Sequence, residues 1–336
     1  MHHVAFIGTG GFATSLSIHL NRLGRSVCLW GRDAEYCRIM AATRINTRHL
    51  PDVPIPADIL ITGEISLAVA EAELVIAATP TAHLRQTLHQ LAGQIPAGIP
   101  ILSVVKGLEI GTLNRPSEII RQELGDREVA VLSGPSHAEE VAQGRPTSLV
   151  IASQSPSLAG EVQRLFGSRS LRLYLNDDPL GVELAGALKN IMGIAAGVCD
   201  GLGLGDNAKA ALITRGLVEM TRFAVAQGAS FSTFFGLAGV GDLMTTCFSG
   251  HGRNRAMGGQ LARGMTLEQA QNSTMNVVEG VYTARSVAAA ARIQQIEMPI
   301  TEAVEKIIDG RVSARQAVEE LMSRPSGMET YQMPGS

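Results

Sequence analysis

Cysteine is scarce and unpatterned in this chain. Cys28, Cys37, Cys199 and Cys247 are scattered over 336 residues with no CxxC pair and no repeated spacing. That argues against a zinc site or a disulfide framework and for a reducing compartment. An excess of one charge is also missing. The net charge is −3 and the pI near 6.3, so no overall basic field recruits nucleic acid or an anionic membrane. No basic segment, long apolar run and cleavage site precede the first strand pattern in MHHVAFIGTGG, and the cytoplasm is the expected compartment. Fixed-period repeats and low-complexity blocks are absent as well. What remains is the make-up of an ordinary globular enzyme, 45% hydrophobic and 18% charged. Its length suggests about two domains.

The first of these is legible at once. Residues 3–7 (HVAFI) form a short apolar run of buried-strand type, followed by Gly8-Thr9-Gly10-Gly11-Phe12-Ala13 and a helical pattern through Leu16, Leu20 and Leu23. Gly24 stands where a helix C-cap belongs, and a second strand at 26–30 completes a βαβ unit. The motif is G-x-G-x-x-A with a strand before it and a helix after it, the context that makes it a dinucleotide fingerprint. Gly8 makes the tight turn, and Gly10 lets backbone approach a pyrophosphate, which rests on the helix N-terminus and its unpaired N–H groups. After the second strand comes Arg32, then Asp33. An acidic residue at the strand end favours NAD, whereas an arginine accepts the 2′-phosphate of NADP. Asp33 also suits a helix cap, so NADP or NAD remains open, with a lean toward NADP tolerance.

Strands and helices then alternate. Strand patterns at 74–78, 101–105, 129–132, 147–152 and 171–175 are separated by helical stretches such as 81–91. Ligands on open parallel sheets bind beyond the carboxyl ends of the strands. That singles out Lys106 after the strand at 101–105, and Ser136 after the strand at 129–132. Ser136 is placed to start a helix whose N-terminus suits an anion. Read alone, Lys106 is more readily a solvated loop lysine than a substrate lysine, and His137 reads as a packing residue or cofactor neighbour rather than a base.

From 183 to 200 the pattern changes. Between Leu184 and Cys199 the one charged residue is Lys189, followed by Asn190, and apolar residues fall on all sides of a helical projection. Such a helix is buried all round. Its length and glycine content read as too short and too Gly-rich for a membrane span. Burial strips the lysine of water, which moves it toward the range where it exchanges protons near neutral pH. The alternative is a core helix whose lysine snorkels out or meets a structural carboxylate. Gly186, Gly193, Gly197 and Gly201 let other backbone or a ligand approach closely.

Beyond it, strand signals fade. Asp206 or Asn207 is positioned to cap a helix over 208–227. Asp242, in the apolar glycine-flanked turn GVGDLMTTC with Thr246, either caps a helix or holds the Lys189 ammonium. Gly252, Arg253, Asn254 and Arg255 lie in a loosened loop, where guanidinium forks match phosphate oxygens. Val277 and Glu279 sit on another apolar stretch, TLEQ (266–269) and SARQ (313–316) read as capping boxes, and Pro299 opens the last helical region.

These residues together, GTGGFATSL, WGRD, VVKGLE, SGPSHAEEVA, GVELAGALKNIMGIAAGVCDGLG, ALITRGLVEM, GLAGVGDLMTTC, GRNR and VVEG with MPIT, resemble bacterial NAD(P)-dependent glycerol-3-phosphate dehydrogenase over nearly the whole chain. The resemblance implies an α/β fold, a Rossmann-type doubly wound sheet over 1–180 followed by an all-helical substrate domain over 181–325, with a flexible tail at 326–336. It implies interconversion of dihydroxyacetone phosphate and sn-glycerol 3-phosphate for membrane-lipid synthesis by a cytoplasmic homodimer. Lys189 then becomes the proton donor/acceptor, Lys106 a substrate lysine that polarises the carbonyl, and Asp242 the support of Lys189. Gly134, Ser136, Asn190, Thr246, Gly252, Arg253 and Asn254 fall at substrate positions, Arg253 with Asn254 taking the phosphate. Gly8, Gly10, Gly11, Phe12, Arg32, Lys106, Ala138, Arg253, Val277 and Glu279 fall at cofactor positions, and no metal is implied. Two residues depart from the family pattern: Ala13 where glycine is usual, and Gly252 where serine is frequent. The rival readings are a reductase of another small 2-oxo or 3-hydroxy acid, and a non-catalytic NAD(P) sensor. The sensor should have a degraded site, yet Lys189 and Asp242 are both present.

Overall fold

The computed structural model describes residues 3–250, 252–273, 278–325 and 329. Val277 and nearly all of the expected tail at 326–336 lie outside the described residues. The chain forms two compact units, residues 1–186 and 187–336.

The first unit is built on ten strands: β1 (His3–Ile7), β2 (Ser26–Trp30), β3 (Ile45–Asn46), β4 (Leu50–Pro54), β5 (Leu60–Thr62), β6 (Leu74–Ala77), β7 (Ile101–Ser103), β8 (Val129–Ser133), β9 (Thr147–Ser153) and β10 (Leu171–Asn176). Eight of them form one sheet in the order β10-β9-β8-β7-β6-β1-β2-β5, and β3 with β4 forms a separate hairpin. Alternation sorts β1 onto two cores. Val4 and Phe6 pack with Leu16, Leu20 and Phe166 on one face, and Ala5 and Ile7 with Leu84, Leu88 and Ile119 on the other. A strand covered on both faces has to be apolar throughout, as HVAFI nearly is.

The sheet is not wholly parallel. β8 and β9 pair antiparallel, whereas β9 and β10 pair parallel. The link from β8 to β9 holds only the five-residue helix Ala138–Ala142, too short to carry the chain back along the strand. The link from β9 to β10 holds Pro156–Phe166, a helix of crossover length. The order turns back at β1, which lies between β2 and β6. Ligands bind outside the strand ends at such a switch point.

Among its described residues, the second unit contains helices and no strand. Its central piece is the helix Pro179–Gly201, which begins in the first unit. At 23 residues it is long and apolar enough to cross a membrane, contrary to the sequence expectation; its apolar window is instead wholly buried inside the protein. Three of its glycines explain how the second unit packs. A Cβ at Gly193 would stand 2.8 Å from Thr246 Cγ2, one at Gly201 2.6 Å from Ala262 Cβ, and one at Gly197 would collide with the Arg255 carbonyl. The facing helix, Arg253–Ala262, answers with Gly258, where a Cβ would collide with the Ile194 carbonyl. The two helices meet backbone to backbone. The close approach read from the glycines is thus an approach of protein backbone, and the spacing of four keeps it on one side of the helix.

The helix at 208–227 in fact spans Gly205–Ala226, with Leu204 at its N-cap and no side-chain cap; neither Asp206 nor Asn207 plays that part. Thr266 with Gln269 and Ser313 with Gln316 do form capping boxes. Glu219, almost fully buried, accepts from Ile300 N, Thr301 N and Thr301 Oγ1 at 2.6–2.8 Å. It caps the helix Pro299–Ile308 from outside.

Candidate active site

On the first unit the glycine turn leaves β1 at the switch point. Gly8 has φ +129°, and a Cβ there would stand 2.9 Å from the Ala78 carbonyl oxygen, so no other residue fits beside β6. Gly11 is held by the β3–β4 turn, since its Cβ would meet His49 O at 2.6 Å and Ala138 Cβ at 3.5 Å. At Gly10 a Cβ would meet no protein atom. The helix Gly11–Arg22 starts there without a side-chain cap and without an acidic residue in its first turn. Backbone N–H groups with positive dipole sense, next to a residue lacking a side chain, fit a pyrophosphate. Phe12 and Ala138 pack on the same core. Ala13 is buried in it, so its methyl is absorbed by packing.

Asn46 was not legible in the sequence. Fully buried, its Nδ2 donates to Thr9 O and Thr14 Oγ1 at 2.8 Å, tying the hairpin to the glycine turn. Asp33 caps the helix Ala34–Thr43 through Tyr36 N and pairs with Arg48. These bonds hold its carboxyl below the usual range, the Tyr36 amide first and Arg48 second. Arg32 is exposed.

Beyond the ends of β7 and β8, Lys106 Nζ donates to Gly134 O at 2.9 Å, and Ser136 Oγ donates to the same oxygen at 3.0 Å. Ser136 therefore does not cap the next helix, which takes His137 at its N-cap. Gly134 needs its φ of +125° to turn the chain there. The loop after Lys106 is pinned by Glu109, bound by both Arg85 Nε and Nη2 and by Thr112 and Asn114. The Arg85 fork, above all, holds the Glu109 carboxyl down at about 2. Where the loop ends, buried Glu183 accepts from Arg115 and from the amide and hydroxyl of Ser117 at 2.6–2.8 Å. Burial nevertheless pushes its carboxyl up.

In the second unit Lys189 is buried, and its Nζ donates to Asp242 Oδ1 at 2.6 Å and Thr246 Oγ1 at 2.7 Å. Asp242 opens the helix Asp242–Phe248, in which Thr246 lies one turn on and faces the same way. The residues before it, Leu237–Gly241, make a π turn, a device found mostly as single turns and frequently at functional sites. The Asp242 carboxylate reaches the lysine, and the N-cap of its helix is Gly241. Gly193 is why Thr246 can come so close.

Next to Lys189, Asn190 is also buried. Asn254 Nδ2 donates to its Oδ1 at 2.9 Å, and Gly280 N donates to Asn254 Oδ1 at 3.1 Å. Arg253 is the first residue of its helix, exposed, with Gly252 as an N-cap that has no side-chain bond. A cation at the start of an uncapped helix suits an anion. Glu279 opens the helix Glu279–Gln294. Arg255, read with Arg253 as a guanidinium fork for phosphate on a loop, lies instead within the helix Arg253–Ala262 and turns to protein partners. It donates to Phe248 O and Ser249 O and pairs with Asp200, which also takes buried Lys209, and so fixes the loop ahead of Arg253.

All four cysteines are buried free thiols. Burial pushes Cys28 and Cys247 up to about 12, which leaves them poor nucleophiles. Among the described residues no group of three or more His, Cys, Asp or Glu is placed to hold a metal ion.

Residues 3–159 match the N-terminal model of NAD-dependent glycerol-3-phosphate dehydrogenase, and residues 178–319 match its C-terminal model. A glycerol-3-phosphate dehydrogenase [NAD(P)+] of Dechloromonas aromatica is 44% identical over 96% of this chain and 97% of its own. One from Salinibacter ruber is 43% identical over 98% and 96%. The crystal structure of glycerol-3-phosphate dehydrogenase from Coxiella burnetii superposes with a TM-score of 0.92 at 36% identity, covering 96% of this chain and 99% of that one. With a glycine turn at the sheet's switch point and a buried lysine–aspartate pair in the helical unit, the chain belongs to the NAD(P)-dependent glycerol-3-phosphate dehydrogenases, a family of oxidoreductases.

Proposed function

We propose that the chain catalyses reversible reduction of dihydroxyacetone phosphate to sn-glycerol 3-phosphate. The observation that carries the proposal is the buried Lys189 ammonium held by Asp242 and Thr246. The bound nicotinamide supplies or receives the hydride at C2. As that carbon is reduced, negative charge grows on its oxygen. Lys189 stabilises the charge and delivers the proton, and in the reverse direction its amine removes the proton of the C2 hydroxyl. Asp242 and Thr246 hold the ammonium in one orientation, so little reorganisation is left for the transition state. Arg253 and Asn254, with the Gly252 backbone, take the phosphate, whose binding energy orients the reacting carbon. Lys106, Gly134 and Ser136 keep the substrate roles, and Ala138, Val277 and Glu279 the cofactor roles, that the resemblance implies.

Asp33 is engaged as a cap while Arg32 is exposed, which supports acceptance of NADP beside NAD. A cytoplasmic homodimer supplying glycerol phosphate for membrane lipids is the accompanying expectation from the family. The test is oxidation of NADH and of NADPH with dihydroxyacetone phosphate and with plain dihydroxyacetone. Turnover confined to the phosphorylated ketone is the expected result. Equal turnover of the two ketones would favour a reductase of another small acid or ketone, and tight nucleotide binding without turnover would favour a sensor.

A further inference from the structure

The side-chain amides of Asn190 and Asn254 meet head to tail, and their orientation can be deduced from a third group. A primary amide is nearly symmetric in shape, so its oxygen and nitrogen exchange places at little steric cost unless a partner decides. Here the partner is the backbone N–H of Gly280, which can only donate. It lies 3.1 Å from Asn254 and requires the oxygen of that amide to face it. Asn254 must then turn its NH2 toward Asn190, 2.9 Å away, and Asn190 must answer with its own oxygen. The NH2 of Asn190 is thereby turned away from Asn254.

Two more observations show that the relay is built in. The helix Glu279–Gln294 receives no side-chain cap from its own N-cap residue, Val278; Asn254 supplies a partner from another helix. Gly280 is also the residue that permits the approach, because a Cβ there would stand 2.5 Å from Asn254 Oδ1 and 2.7 Å from the Asn190 carbonyl oxygen.

We infer that Asn254 is a positioning residue, which locks the amide of Asn190 so that it offers only hydrogen-bond donors to the substrate oxygen that gains charge during reduction. This rests on the proposed reaction and adds a role for Asn254 distinct from contact with the phosphate. Gly193, one turn on from Lys189 and Asn190, brings their partners together, since a Cβ there would stand 2.8 Å from Thr246 Cγ2 and 3.2 Å from Asn254 Cβ, and Asn190 thereby gives the growing oxyanion a donor near the ammonium. In the flipped orientation it would present a carbonyl lone pair, which repels the same charge.

The decisive variant is Asn254→Asp. A carboxylate still accepts from Gly280 N–H but cannot donate to Asn190, so Asn190 has to flip and donate to it. The expected result is a fall in kcat of about 10²–10³-fold, the loss that follows removal of one donor to a developing oxyanion. Repulsion of the substrate phosphate by the new charge should appear separately, as a raised KM. In an Asn190→Ala background there is no amide to flip, so the part of the kcat loss that Asn254→Asp causes through Asn190 disappears and the loss should be at least about tenfold smaller than with Asn190 present, while KM rises as before. Asn254→Ala, measured in the same two backgrounds, provides a second test should the charged variant not fold. Without a lock the two orientations become comparably populated, so about half the molecules are competent and kcat should fall about twofold more where Asn190 is present than where it is absent. Unchanged NADH affinity and melting midpoint check that the fold is kept. Equal kcat losses with and without Asn190, or no kcat loss from Asn254→Asp, would overturn the relay. No turnover of dihydroxyacetone phosphate by the unmodified protein would instead overturn the reaction on which it rests.

Discussion

Asp242→Asn keeps the shape of the side chain beside Lys189 and removes its charge. The Lys189 and Asp242 side chains are 10% and 2% exposed, with Nζ and Oδ1 2.6 Å apart. At an effective dielectric constant near 20, the attraction lost is about 6 kcal/mol. A buried ammonium without its counter-charge has a cheaper course than staying charged, which is to release its proton. Release costs about 1.4 kcal/mol for each pH unit below the ordinary lysine value of about 10.4, so about 5 kcal/mol at pH 7 and about 2 kcal/mol at pH 9. The destabilisation at pH 7 is therefore capped near 5 kcal/mol, at the upper end of the range of about 3–5 found when one partner of a buried pair is removed. The sign of the pH dependence follows. In the variant the unfolded chain binds one proton more than the folded chain, so the variant gains stability as pH rises, whereas the intact pair stays charged and adds no such slope. Urea-unfolding midpoints of both proteins at pH 7 and pH 9 measure this. The gap between them should shrink by about half over those two units. A gap that stays constant, or none at pH 7, would refute the reasoning. Ketone reduction should also slow at pH 7, because the neutral amine has no proton to give.

Gly197→Ala places a methyl against the Arg255 carbonyl and 2.9 Å from Gly259 N. Overpacking of this kind costs about 3 kcal/mol, and the melting midpoint should drop by roughly 6–12 °C; a shift within 1–2 °C would show that the two helices can part freely. Burial raises the Glu219 carboxyl above its usual value, against the bonds from Thr301 and Ile300. The stability this contributes is full below about pH 4.5 and is lost as pH rises through the folded-state value. The midpoint of the intact protein should therefore fall relative to Glu219→Gln as pH is raised from 4.5, and a flat difference would contradict it. Arg253→Ala should raise KM for the phosphorylated ketone, with a smaller loss of kcat from the poorer orientation of the reacting carbon. Steady-state kinetics with an unchanged KM would remove Arg253 from the phosphate site.

Much of the architecture could be read along the chain because it is written in local patterns. The strand before Gly8, the helix after it and the apolar run around Lys189 are such patterns. β5 escaped because it has three residues, and β4 because it carries Pro51 and Pro54. The reversal at β9 escaped because strand direction depends on the length of the link and leaves no mark in the strand itself. Ser136 looked like a cap because serine suits that position, but the Gly134 carbonyl claims its hydroxyl. Asn46, Glu183, Arg255 and Asp200 have partners 32 to 68 positions away. No periodicity reaches that far, and only folding reveals the pairings. Asp242 stood between two readings for the same reason, and Lys189, 53 positions away, settles its geometry.

The central claim is that Lys189 handles the proton at the C2 oxygen. The most direct measurement is kcat for reduction of dihydroxyacetone phosphate by Lys189→Met, taken together with NADH affinity by fluorescence titration. A fall in kcat of about 10²–10⁴-fold is expected, with NADH affinity changed by less than about twofold. A kcat close to that of the unmodified protein, or loss of NADH binding together with turnover, would contradict it and make the lysine a structural member of the buried helix.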